Sequence, residues 1–61
     1  MQKYRATFTG LHNQKETAFE DEINIEAGDF EEASRIAMAF ASGRSRDDRV
    51  EDFVLQKIYL V

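Results

Sequence analysis

The chain has 61 residues, 43% of them hydrophobic and 33% charged, with 12 acidic against 8 basic side chains and a net charge of −4. A chain of this length is one domain, residues 1–61, that buries only about 60% of its unfolded surface, so a slim stability is expected. The absence of cysteine excludes disulfides and thiolate metal sites, and no apolar run approaches the roughly 20 residues of a membrane helix. The acidic balance argues against general affinity for nucleic acid.

The first predicted element is KYRATFT, where Tyr4, Ala6 and Phe8 alternate with Lys3, Arg5, Thr7 and Thr9 in the period of a half-buried strand. Because this strand-like alternation follows Met1 so closely, no signal peptide is expected, and the reading is a soluble cytoplasmic protein. GLHNQKE reads as a hairpin loop. A second strand resumes near Thr17, with Phe19, Ile23, Ile25 and Ala27 on one side and Glu20, Glu22, Asn24 and Glu26 on the other. Asp21 falls on the apolar side, which predicts a bulge there or a strand beginning at Glu22.

Asp29 is placed to cap a helix, and Glu32 three residues later completes a capping-box pattern. Ala33, Ile36, Ala37, Phe40 and Ala41 then recur at helical spacing and predict one apolar stripe. Gly43 reads as the stop, and RSRDDR as a charged, mobile connection. The last strand, residues 50–61, does not alternate cleanly. Phe53, Leu55, Tyr59 and Val61 share a side with Lys57, while Val54, Ile58 and Leu60 share the other with Gln56. The order strand, strand, helix, strand predicts an α+β fold, ββαβ, with a three-stranded antiparallel sheet in order 2-1-3 and the helix on one face. Its expected core is Tyr4, Phe8, Ile23, Ile25, Ile36 and Phe40, joined by one row of the last strand.

The residues offer no catalytic constellation. His12 has no second histidine to share a metal, and Ser34, Ser42 and Ser45 have no base but His12. No EF-hand spacing occurs, and no metal or cofactor is expected. Tyr4 and Phe8 alternate as core residues do, rather than as base-stacking aromatics. What remains is binding surface. Residues 16–32 carry eight carboxylates (Glu16, Glu20, Asp21, Glu22, Glu26, Asp29, Glu31, Glu32) and no Lys or Arg. The plain reading is a solvated strand face followed by ordinary helix-start acids. The functional reading is a negative surface, carried by Glu20, Glu22, Glu26, Glu31 and Glu32, that meets a basic protein groove. A second candidate is a phosphate contact built from Arg44, Arg46 and Arg49 with Lys57, or with Lys3 and Arg5, set against a solvated loop in which Asp47 and Asp48 partly cancel the field. The third is an apolar row on the last strand, Val54, Ile58 and Leu60 (or Phe53, Leu55 and Tyr59), as a homodimer or partner interface.

The segment INIEAGDFEEASRIAMAFA joins a strand ending in Ile-Glu-Ala to an acidic turn and an Ile-Ala helix. It resembles the small strand-strand-helix-strand proteins of bacteriophages and mobile elements, among them DpnD/PcfM-like domains and some anti-CRISPR proteins. The likeness covers Tyr4 to about Gly43 in outline and residues 25–37 in pattern. It implies binding of an effector complex through charged sheet faces and loops, here Lys3 and Arg5, residues 20–26, or residues 44–49. The expectation is therefore a non-enzymatic phage-type inhibitor of a host defence or nucleic-acid-handling complex, acting in the cytoplasm of a bacterial host. The alternatives are a small nucleic-acid binder using the arginine loop, and a self-associating structural or assembly protein.

Overall fold

The computed structural model describes all residues 1–61. Strands β1 (Gln2–His12) and β2 (Thr17–Ala27) form a long hairpin, helix α1 (Phe30–Arg44) packs back across it, and β3 (Val50–Leu60) returns beside β1. The sheet is antiparallel throughout, in order β2-β1-β3. This is the predicted ββαβ arrangement. No helix is long and apolar enough to cross a membrane.

The hairpin is longer than the sequence suggests. GLH belongs to β1, and only residues 13–16 form the loop, where Glu16 adopts a left-handed φ of 51°. Gly10 is in the strand for a steric reason. A Cβ there would stand 2.8 Å from the Phe19 ring and 2.9 Å from that of Phe53, so the two neighbouring strands' aromatics close over the backbone only because it is bare. The predicted bulge at Asp21 is absent. β1 and β2 keep an unbroken register, with Tyr4 opposite Ile25, Ala6 opposite Ile23 and Phe8 opposite Asp21. Asp21 therefore does point to the helix side, and it is accommodated by an ion pair with Arg44 of α1 (3.3 Å).

The helix begins as predicted: Asp29 accepts from the Glu32 amide (2.8 Å), and the Glu32 carboxylate accepts from the Gly28 amide (2.8 Å). The first of these bonds satisfies an amide that the first turn leaves without a partner, and the second ties Glu32 back to the residue before the cap. Its buried row is Ala33, Ala37 and Ala41, whose small side chains let the axis lie close over the sheet. Ile36, expected in the core, is 41% exposed, because it sits on the flank of this row rather than on it. Gly43 is not the cap. The helix runs through Arg44 to Ser45, whose backbone is right-handed and donates to Ala41.

β3 fails to alternate because it carries two register shifts against β1. Gln56 is skipped between the pairs Thr7–Lys57 and Phe8–Leu55, and an extra residue lies between Thr9–Val54 and Leu11–Glu51, where Asp52 takes a left-handed φ of 53°. Each bulge shifts the side-chain phase by one. Val50, Phe53, Leu55, Ile58 and Leu60 accordingly all lie on the helix side. Phe8, wholly buried, is the centre of the core, stacked on Phe53 and tilted against Phe40, both with centroids at 5.1 Å. The connection after the helix is pinned: the Asn13 amide donates to the Arg49 carbonyl, and its side chain to that of Asp48.

Candidate functional site

One helix covers one face of the sheet, so the other face is open from edge to edge. Alternation along the strands decides what stands on it. β1 contributes Lys3, Arg5, Thr7 and Thr9, and β2 contributes Glu26, Asn24, Glu22 and Glu20 directly opposite them. β3 adds Val54, Gln56, Lys57 and Tyr59 on the far side. Thr7 and Thr9 floor an open trough between an acidic wall, Glu20 and Glu22, and a wall of Gln56, Lys57 and Tyr59. Gln56 is held by donating to the Thr9 hydroxyl (2.9 Å), and the Lys57 ammonium lies 5.4 Å from the Tyr59 ring centroid.

The five acids do not make one patch. Glu20, Glu22 and Glu26 form a row on the open face along the free edge of β2. Arg5 partly answers the middle one, at 3.7 Å from Glu22, while it also donates to Asn24 (3.2 Å). Glu20 faces Thr9 and has no cation within ion-pair distance. Glu31 and Glu32 belong to the helix, on the opposite side of the sheet. Glu31 pairs with Arg35 one turn on (3.5 Å), and Glu32 is occupied in capping.

The five cations do not converge either. Arg44 is a structural residue: besides binding Asp21, its guanidinium rests over the rings of Phe53 (5.2 Å) and Phe19 (5.8 Å). Arg49 binds Asp47 at 3.2 Å, and this partner holds the Asp47 carboxyl below its ordinary range. Arg46 is exposed and unpaired. Lys3 and Arg5 stand at the other end of a molecule 39 Å long, roughly 30 Å along the strands from Arg49. The interface row is also divided, because the bulge at Gln56 leaves Val54 on the open face and turns Ile58 and Leu60 to the helix side. Ile58 is half-buried against the core, whereas Val54 and Leu60 are 49% and 57% exposed.

His12 stacks on Phe19 with centroids 4.3 Å apart. Nowhere do three His, Asp or Glu side chains gather as metal ligands would. Of the trough residues, Gln56 did not stand out in the sequence, Lys57 was read only as a phosphate contact and Tyr59 only as part of an apolar row, and only the alternation of Thr7 and Thr9 hinted at the floor between them. Compared with known protein families, with curated proteins and with solved structures, the chain matches none.

Proposed function

We propose that this protein is a non-enzymatic binding protein that inhibits a host defence or nucleic-acid-handling complex by laying the acidic row of β2 against a basic surface. The observation that carries this reading is the row itself: Glu20, Glu22 and Glu26 project from an edge strand on an uncovered face, with a cation in ion-pair contact only at Glu22. Alternate residues of a strand recur about every 7 Å, so three carboxylates are presented in a line by a hydrogen-bonded backbone that loses little freedom on binding. A line of single-sign charge speeds association with a surface of opposite sign and discriminates against others. A groove built to hold phosphates is such a surface. The setting, a phage or mobile-element protein acting in bacterial cytoplasm, follows from the resemblance of residues 25–37 to that group. Direct binding of nucleic acid has less support, because Arg44 and Arg49 are already engaged and Lys3 and Arg5 lie far from them.

The test is capture from bacterial lysate treated with nuclease, using the wild type and a variant with Glu20, Glu22 and Glu26 all replaced by Lys. The reading expects a retained protein or complex that binds nucleic acid in its own right, releases that nucleic acid when this chain is added, and is not captured by the variant. Capture unchanged by the three reversals would sink it.

A further inference from the structure

We infer that two copies of this chain pair edge to edge through β3, antiparallel and two-fold symmetric about Val54, to form one six-stranded sheet. β3 hydrogen-bonds only to β1, so its other edge is free. The Val61 amide donates to Lys3, which by ladder alternation points the amides of Ile58 and Leu60 away from β1. Bulges commonly disfavour such pairing, because an extra residue on one strand meets no counterpart on the other. Here the two extra residues, Asp52 and Gln56, flank Val54 at equal spacing. A two-fold axis at Val54 brings each of them opposite the other's copy, so neither strand has a residue in excess.

The side-chain faces obey the same symmetry. Val50, Phe53, Leu55 and Ile58 lie on the helix side, and Glu51, Val54 and Lys57 on the open side. About Val54 these become the pairs Val50 with Ile58, Phe53 with Leu55, and Glu51 with Lys57, each joining residues of one face. A register centred on Ile58 fails this condition, since it sets Leu55 of the helix side against Val61 of the open side. The charges agree as well: the axis places Glu51 of each copy opposite Lys57 of the other, twice over. Both helices then lie on one face with their β3-side flanks toward each other. Those flanks carry Phe40, which rests on Phe53, and Ile36, which is 41% exposed in the single chain.

Sedimentation velocity across micromolar concentrations tests this, with twice the 7.1 kDa chain mass expected. Val54→Lys sets two ammonium groups face to face at the axis and should leave a monomer whose circular dichroism is unchanged, since Val54 is half exposed in the single chain. Glu51→Lys and Lys57→Glu should each raise the dissociation constant by roughly tenfold, through two like-charged pairs. The double exchange should restore it. A wild type that stays monomeric throughout, a dimer indifferent to Val54→Lys, or a double exchange that does not recover would overturn the inference. None of these outcomes bears on the acidic row of β2.

Discussion

The two edges of this sheet solve the same problem in opposite ways. Each leaves a row of backbone groups unpaired and open to another chain. β2 keeps perfect register with β1 and lines its edge with Glu20, Asp21, Glu22 and Glu26, so that a second copy of the same edge meets like charge. β3 is apolar apart from Glu51, Asp52, Gln56 and Lys57, and breaks register twice. An edge guarded by charge is suited to a partner of opposite charge, whereas an edge that is apolar and self-complementary is suited to its own copy. Regularity follows the same division. β2 can remain straight because Asp21, its one charged residue on the core side, is answered by Arg44, while β3 needs bulges to turn enough apolar residues inward to cover Phe8.

Core truncation should separate the edges most. Phe53→Ala removes the ring stacked on Phe8 and is expected to lower stability by about 3–5 kcal/mol in urea denaturation. Phe19→Ala, at the β2 edge where the ring is only partly buried, should lose clearly less, and equal losses would mean that the two edges are anchored alike. Next comes Gly10→Ala, which drives a methyl group into both rings at once. It should cost about 1–3 kcal/mol, read as a lowered midpoint at unchanged slope. Arg44→Ala removes both the answer to Asp21 and the cover over Phe19 and Phe53, with an expected loss of roughly 1–2 kcal/mol. Asp21→Asn should lose less, because the guanidinium keeps its aromatic seat. Charge reversal at Glu20, Glu22 and Glu26 should cost about 1 kcal/mol or less, through the like charges it sets against Lys3 and Arg5, so that loss of binding by a variant with unchanged circular dichroism reports on the surface.

The smallest effect lies away from both edges. Arg49 holds the Asp47 carboxyl below its usual 3.8, mainly through a side-chain hydrogen bond, so the folded state binds a proton there less readily than the unfolded chain. The associated stability is complete above pH 3.8 and is lost as pH falls through the folded value. Arg49→Ala should return the Asp47 carboxyl toward 3.8 in an NMR titration; an unmoved midpoint would show that the pair does not persist in solution.

Much of this architecture could be read from residue order. Period-two alternation identified β1 and most of β2, Asp29 and Glu32 marked the helix start, and the short connections left one sensible strand order. What escaped was non-local. Asp21 looked like a fault because its partner is 23 positions away, on an element whose rotation the sequence does not state. Gly10 looked like a turn residue, since its need for bareness comes from rings on two other strands. β3 could not be divided into faces, because a bulge shifts the phase without any signature in the residues themselves. The same shift dispersed the expected row of Val54, Ile58 and Leu60. The five acids lie close in sequence but on opposite faces of the sheet, since Glu20, Glu22 and Glu26 stand on the open face of β2 while Glu31 and Glu32 belong to the helix on the other.

Strand order also has a temporal side. Tyr4 lies between Ile25 and Leu60, so the central strand is complete only once β3, the last of the three to be made, is in place. Until then the hairpin of β1 and β2 presents β1 with one bare side, bordered by Phe8 and the exposed backbone of Gly10. Closure waits on contacts between the two ends of the chain, which slows folding relative to local pairing and leaves the nascent hairpin open to capture by other strands. The carboxylates along β2 then act before any partner is met, keeping two unfinished hairpins apart while each awaits its own third strand.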